Sequence, residues 1–203
     1  MTFNKLLMTT ALVLAGTLAV LPAAQADDLV ATAKQIATAA TARADKWDGP
    51  TSGPQAVAGK TIVYVAGDMR NGGILGVSNG VKEAAGVIGW TYRVIDGQGS
   101  VSGQASALSQ AIALKPDAIV IGGSDAVQQA AGIEQAAKAG ITMVGWHAGP
   151  TAGPMPDGHL FVNVTTDAME VAKVAAMKAI ADSDGKAGVV VFADSSYAIA
   201  IAK

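Results

Sequence analysis

The stretch that decides the fold is Pro116–Gly149, which reads PDAIVIGGSDAVQQAAGIEQAAKAGITMVGWHAG. It begins with a short unbroken apolar run, Ala118–Ile121, which is typical of a parallel strand covered on both faces. A second apolar run, Ile141–Gly145, predicts a second strand. We expect the connection between them to be a right-handed parallel crossover, with its polar loops at the carboxyl ends of the strands.

A helix is predicted between these two strands. Its apolar residues recur at spacings of three and four, Asp125 is placed to cap its first turn, and Gly140 ends it. The apolar positions are Val127, Ala130, Ile133 and Ala137. Sheets of this kind bind ligands at the edge formed by the carboxyl ends of their strands, so the residues after each strand become candidates for a site.

Strand and helix alternate on both sides of this stretch. The helix after Leu160–Val164 is predicted to begin with Thr165 or Thr166 as its cap, and Gly149–Gly158 to be a loop rich in proline and glycine. We therefore predict an α/β fold with a doubly wound parallel sheet. The strands are expected at Ile62–Val65, Thr91–Ile95, Ala118–Ile121, Ile141–Gly145, Leu160–Val164 and Ala187–Phe192.

Residues 1–26 are predicted to be an export signal. Lys5 supplies a positive charge, Leu6–Leu21 is apolar, and Ala24-Gln25-Ala26 provides a small-residue cleavage site. An apolar segment of this length spans about 24 Å as a helix, less than the roughly 30 Å of a bilayer core, which disfavours a retained anchor. We expect the signal to be cleaved after Ala26 and the product to be periplasmic.

Charge and composition exclude several classes of partner. Removal of the signal takes away one lysine and no acidic residue, so the net charge changes from -2 to -3. No basic run is present that could neutralise several phosphates, so we predict no nucleic-acid partner. The chain has no cysteine, and therefore neither a disulfide nor a lipid-modified N-terminus. His147 and His159 stand apart from any acidic cluster and no glycine-rich loop has nucleotide-binding spacing, so we predict no metal and no cofactor.

The segment 27–59 is predicted to hold a short amphipathic helix and a linker. Leu29, Ala33, Ile36 and Ala40 fall on one helical face. The run Asp48–Pro54 contains two prolines and two glycines, which favours a linker, with an ordinary surface loop as the alternative. Because the chain stops soon after its last predicted strand, we expect it to be the amino-terminal part of a longer protein.

Polar side chains follow four of the predicted strands and would converge at one edge of the sheet. Carboxylates and amides bind hydroxyl groups there, and an indole face packs against the apolar face of a sugar or polyol. Structural roles compete with this interpretation, since Asp125 can cap a helix, Asp68 and Asn71 can turn the chain, and a loop histidine can be bonded locally. The candidates are Asp68, Arg70, Asn71, Gln98, Ser124, Asp125, Trp146 and His147.

A catalytic pair can also be imagined at this edge. Ser124 and His147 follow neighbouring strands and would form a nucleophile and its base. However, no glycine-flanked nucleophile elbow surrounds Ser124, and no acid is spaced to orient His147. We therefore predict no catalytic residue and no enzymatic activity, and keep an exported hydrolase as an alternative.

The order of several short motifs resembles the type 1 periplasmic binding proteins, in the ribose-binding-like branch that serves ABC sugar importers. The resemblance extends over residues 60–203 and is carried by motifs in the predicted strand-end loops and in the elements beside them. These are Asp68–Gly73 ahead of Asn79–Ala84, Val94–Asp96, Lys115–Ile121, Ser124–Ala126 and Val162–Asp167.

This resemblance implies two lobes, joined by crossing strands, that close on one ligand. Residues 60–164 would form the first lobe and residues 165–203 the start of a second, incomplete lobe that contributes Ser195, Ser196 and Tyr197. The chain departs from the family where sugar binders often carry aromatic rings and an Asp-Arg pair, since it has Gly73-Ile74 and His147-Ala148 there. Neutral polyols or modified sugars therefore fit better than an ordinary pentose.

The resulting prediction is a monomeric periplasmic substrate-binding protein. It would capture a neutral sugar, modified sugar or polyol and deliver it to the permease of an ABC transporter in the inner membrane. A ligand-sensing subunit of a membrane receptor shares the fold and the site, so this alternative stays open.

Overall fold

A computed structural model describes residues 23–47 and 49–192. Ser195, Ser196, Tyr197 and all but the last four residues of the predicted export signal lie outside these ranges. Between Thr61 and Trp146, strands and helices alternate as predicted. In chain order the elements are α1 (Ala23–Ala40), β1 (Thr61–Ala66), α2 (Gly72–Val87), β2 (Thr91–Asp96), α3 (Val101–Ala113), β3 (Ala118–Gly122), α4 (Ala130–Lys138), β4 (Thr142–Trp146), β5 (Gly153–Met155), β6 (Leu160–Val164) and α5 (Ala168–Ser183).

Within the described ranges the strands form one sheet in the order β2-β1-β3-β4-β6-β5. All neighbouring strands are parallel except β5, which runs antiparallel to β6. β2 lies on one side of β1, whereas β3 and the later strands lie on the other. The strand order therefore reverses between β1 and β3, which makes the carboxyl edge at this point the expected place for a ligand.

The two faces of the sheet carry different helices. Successive side chains of a strand point to opposite faces, so Val63 and Ile119 pack with Leu108 of α3 on one face, and Tyr64 packs with Ile74 of α2 on the other. All five of these residues are at most 6% exposed. Burial on both faces explains why β1 and β3 are almost continuously apolar, and it confirms the doubly wound architecture.

α1 and α5 form a separate pair of packed helices. Ala33 and Ala37 are the buried residues of α1, and Lys34 Nζ lies 2.6 Å from Asp184 Oδ1 at the end of α5. Leu29, predicted on the apolar face, is 46% exposed. Residues 41–47 and 49–60, which lie between α1 and β1, are irregular. None of the helices in the described part of the chain is long and apolar enough to cross a membrane.

The predicted start of the helix between β3 and β4 was wrong. α4 begins at Ala130, after a turn over residues 126–129, and the side chain of Asp125 caps that turn by accepting a hydrogen bond from Val127 N at 2.8 Å. Val127, predicted on the buried face, is 75% exposed. The helix starts late because the backbone of Gln129 (φ −98°, ψ 9°) departs from helical values at the end of that turn.

Two further predictions failed at the end of the described chain. α5 is capped by Asp167, whose Oδ1 accepts from Glu170 N at 2.8 Å, and neither Thr165 nor Thr166 has that role. Residues 187–192 form no strand. A parallel strand needs a neighbour for its backbone groups, and no strand of the described residues lies beside this run, so Phe192 is 93% exposed.

The segment 149–158 is more ordered than the predicted loop. It contains β5 and a single 3-10 turn, Pro156–Gly158. Pro154 stands in the middle of β5, which lies at the edge of the sheet, where a residue that cannot donate a backbone hydrogen bond is tolerated. A strand so short and so rich in proline and glycine leaves no alternating pattern to detect.

Candidate functional site

A cavity of about 530 Å³ opens at the carboxyl edge of the sheet, above the point where the strand order reverses. The loops after β1, β2, β3 and β4 all contribute to it, together with the first turns of α2 and α3. Its walls are formed by Gly67, Asp68, Asn71, Ile74, Gly99, Ser100, Val101, Gln104, Gly123, Asp125, Gln128, Trp146 and His147.

In the loop after β1, Asp68 is paired with Arg70. The guanidinium donates from Nη2 to Asp68 Oδ2 (2.8 Å) and from Nε to Oδ1 (3.0 Å), and Arg70 N also donates to Oδ1. These bonds, the guanidinium ones foremost, hold the pKa of Asp68 below its ordinary value. Arg70 itself is 80% exposed, so solvent screens the pair, and Arg70 does not line the cavity. The cavity wall therefore receives a carboxylate that is held in its charged form.

Asn71 combines a structural role with a place in the wall. Its Oδ1 accepts hydrogen bonds from Gly73 N (2.9 Å) and Ile74 N (3.2 Å), which makes it the N-cap of α2. Since the oxygen is used in the cap, Nδ2 is the atom of this side chain that remains for a ligand. This agrees with the expectation that Asn71 turns the chain.

The loop after β2 places its predicted residue elsewhere. Gln98 is exposed and does not line the cavity, because its backbone has a positive φ of 56° and its N–H is held by Asp96 Oδ1 at 2.9 Å. Gly99 lines the cavity instead. A Cβ at Gly99 would lie 2.6 Å from Asp68 Oδ2, so the missing side chain lets the first two loops meet.

The loop after β3 buries both of its predicted residues. Ser124 is 1% exposed, and its Oγ forms no hydrogen bond with any described residue. It therefore does not form the nucleophile–base pair with His147 that an enzyme would require. Asp125 is 3% exposed and lines the cavity, where it is fixed by its bond to Val127 N.

Trp146 and His147 form the wall contributed by β4. Their rings meet edge to face, with centroids 4.6 Å apart and planes at 74°. A Cβ at Gly73 would lie 3.6 Å from the indole and one at Gly123 would lie 3.9 Å from it, so the indole spans from β4 across β3 to the start of α2. An aromatic face is thus present in this cavity although the loop after β1 has none.

His147 has a left-handed backbone with φ of 51°, a conformation that costs a non-glycine residue roughly 1–2 kcal/mol. Two contacts with the residues that end β6 and follow it offset this cost. His147 N donates to Val164 O (3.0 Å), and Nδ1 shares a hydrogen bond with Thr165 Oγ1 (3.1 Å). The imidazole therefore connects the cavity to the segment that leads into α5.

The structure brings five of the predicted side chains to one cavity, namely Asp68, Asn71, Asp125, Trp146 and His147. Three polar residues of the lining were not predicted, namely Ser100, Gln104 and Gln128. The first two lie at the start of α3, and Gln128 lies in the turn before α4. Their position one turn beyond each loop is the signal that could have found them. Among the described residues, no group of three or more His, Asp and Glu could hold a metal ion.

Comparisons with known proteins match the region that contains this cavity. The family model described as periplasmic binding protein domain matches residues 62–199. An ABC sugar transporter subunit from Rhodobacter sphaeroides 2.4.1 is 26% identical with a TM-score of 0.57, over 68% of this chain and 46% of that one. An ABC transporter solute binding protein from Agrobacterium vitis, solved with bound allitol, is 25% identical with a TM-score of 0.58, over 68% and 45%.

A galactofuranose binding protein has the same fold, with 20% identity and a TM-score of 0.59 over 70% of this chain and 48% of that one. The chain thus spans less than half of the length of these three structures. No curated protein matches it.

Proposed function

The chain belongs to the periplasmic binding protein domain family, and on that premise we propose that it captures a small neutral polar ligand and delivers it to an ABC transporter. The ligand class is a sugar, a modified sugar or a polyol. The proposal includes export to the periplasm with removal of residues 1–26, action as a monomer, and closure of a second lobe beginning near residue 165 over the cavity.

The observation that carries this proposal is the composition of the cavity. It places the half-buried indole of Trp146 beside short polar side chains, including two carboxylates and an amide, at the reversal point of the sheet. An indole can cover the apolar face of a sugar or an extended polyol, while carboxylate and amide groups bind its hydroxyls. The Agrobacterium vitis relative was solved with allitol, a polyol, which supports the same class.

The charges in the wall favour a neutral ligand. Asp68 and Asp125 both line the cavity, whereas Arg70, which pairs with Asp68, is outside the lining and largely exposed. An anionic ligand would lose its hydration beside two carboxylates, with no lysine or arginine among the residues of the cavity wall to compensate. Hydroxyl groups, in contrast, can donate to both carboxylates.

Binding is tested on the protein expressed from its complete coding region. We expect allitol, or another member of a panel of alditols, inositols and neutral monosaccharides, to raise the melting temperature, because a ligand that binds only the folded state stabilises it. Calorimetry then gives the Kd. Trp146→Leu should weaken binding at least about tenfold, and Trp47→Phe, which changes an exposed indole outside the cavity, should leave the Kd unchanged.

Three results would argue against this proposal. A panel without any thermal shift at millimolar ligand would remove the ligand class, and an unchanged Kd in Trp146→Leu would remove the cavity as the site. Turnover of a bound panel member, abolished by His147→Ala, would favour the hydrolase. Co-purification with a receptor in place of a transporter permease would assign the same binding to sensing.

A further inference from the structure

We propose that Asn163 is the positioning residue of this site: one buried carboxamide, outside the cavity, fixes the loop that presents Trp146 and His147. Asn163 lies in β6 with an exposure of 0%, and its partner in the neighbouring strand is Gly145 of β4. A Cβ at Gly145 would lie 2.9 Å from Asn163 Oδ1. The glycine therefore leaves the space that the carboxamide occupies.

The carboxamide is bonded to three residues of one loop. Its Oδ1 accepts from Ala148 N (3.1 Å), and its Nδ2 donates to Gly149 O (3.1 Å) and Thr151 O (2.7 Å). Two acceptors face the nitrogen and one donor faces the oxygen, so this arrangement fixes which way the amide points. Residues 148–151 are consequently held against β6 by a single side chain.

This loop determines the position of His147. The histidine adopts its left-handed backbone immediately before Ala148, and a φ of that sign persists in a non-glycine residue only when its neighbours impose it. Val164 and Thr165 bond to His147 from one side, and Asn163 fixes the next residue along the chain. Without the carboxamide, the strained turn loses one of these contacts.

The same anchor reaches the loop after β3. Ala148 O accepts the hydrogen bond from Ala126 N at 2.8 Å, and Ala126 follows Asp125, which lines the cavity. Gly123 N also donates to Trp146 O (2.9 Å), so the loops after β3 and β4 are coupled at two points. Asn163 therefore positions residues from two walls of the cavity although it does not line the cavity itself.

The proposal rests on the proposed function in one respect, namely that this cavity is the binding site. Its first test needs no ligand. In the wild type, the Ala148 amide lies outside any strand, yet it should exchange its hydrogen as slowly as the amides of β3. In Asn163→Asp, a carboxylate of the same shape faces the carbonyls of Gly149 and Thr151. Exchange at Ala148 should then be at least tenfold faster relative to Ile119, a buried amide of β3.

Trp146 emission supplies a second readout, recorded in a background in which Trp47 and Trp90 are changed to Phe. Asn163→Asp should shift this emission to longer wavelength. The matched control is Ser78→Ala, which removes another buried hydrogen bond, the one between Ser78 Oγ and Tyr92 Oη (2.6 Å), on α2. If Asn163 were only a core residue, both variants would lower the melting temperature and neither would move the emission.

Fast exchange of Ala148 in the wild type would overturn the proposal even if Asn163→Asp does not fold. It would also be overturned if exchange and emission in Asn163→Asp changed no more than in Ser78→Ala. Once a panel sugar or polyol that binds has been found, Asn163→Asp should raise its Kd at least tenfold, and an unchanged Kd would count against the proposal. Failure of the proposed function shows instead as a wild type that binds no panel member while exchange and emission follow the expectation.

Discussion

The loops after β1 and β4 face each other across the cavity, but they are held in different ways. In the loop after β1, the side chains of Asp68 and Asn71 bond to groups two or three positions away, and one bond comes from farther along the chain, where Asp96 Oδ1 accepts from Met69 N at 3.1 Å. In the loop after β4, the side chains that hold the backbone and His147 come from 12 to 18 positions later in the chain. The side-chain bonds of the first loop thus come largely from its own sequence, and those of the second from β6 and the residue that follows it.

This difference determines which substitutions should disturb the conformation of each loop. A change within the loop after β1 acts directly on that loop. The loop after β4 is also sensitive to substitutions in β4 and β6, even at residues that no ligand would touch.

The largest effect is expected from Gly145→Ala, a change outside both loops. The added Cβ would lie 2.9 Å from Ala148 Cβ and from Asn163 Oδ1. Overpacking of this kind should lower the free energy of unfolding by about 1–3 kcal/mol, measured by urea denaturation. The matched control is Gly80→Ala in α2, where no atom lies within 4 Å of the new Cβ and the helix should gain about 0.5–1 kcal/mol. If both variants are equally stable, the loop after β4 does not depend on this packing.

A smaller effect is expected from Asn71→Ala, which removes the cap of α2. The loss of the bonds to Gly73 N and Ile74 N should cost about 1 kcal/mol in urea denaturation. Asn71→Asp retains an acceptor oxygen at the same place and should recover most of the stability. If Asn71→Asp is as unstable as Asn71→Ala, the loop after β1 is held by something other than its own cap.

The smallest effect concerns pH. Arg70 lowers the pKa of Asp68, so the folded state holds the charged carboxylate more firmly than the unfolded state does. The stabilisation from this pair is present above the ordinary carboxyl pKa of 3.8 and is lost as the pH falls through the lower, folded-state value. Asp68→Asn should therefore lose less stability than the wild type during acid titration. Added salt should shrink the difference, since Arg70 is exposed; parallel acid titrations would contradict the pairing.

The difference between the two loops also explains how much of the structure could be predicted from the sequence. β1 and β3 were recognised because burial on both faces makes them apolar, and Asn71 because turn chemistry is local. The start of α4 was missed because the backbone of Gln129 leaves the helical conformation, which the spacing of the apolar residues does not reveal. The role proposed for Asn163 could not be predicted from the sequence either, because the bonding partners of its side chain become known only when β6 is placed beside β4.

The prediction of a strand at residues 187–192 was wrong for a related reason, since an apolar run becomes a strand only if another strand takes up its hydrogen bonds. In the site, the residue types after each strand were predicted, but Gln98 lies outside the lining because its backbone turns left-handed and points the chain elsewhere. Which side chains reach the cavity depends on loop geometry. The sequence constrains that geometry only where glycine, proline or a capping residue occurs.

The packing of α1 on α5 has a consequence for handling the protein. Residues 41–47 and 49–60 are irregular and largely exposed, which makes them a preferred place for a protease to cut. Such a cut severs the backbone between α1 and β1 but leaves the buried face of Ala33 and Ala37 and the Lys34–Asp184 ion pair intact. The nicked protein then elutes as a single particle under native conditions, and its two fragments separate only on a denaturing gel.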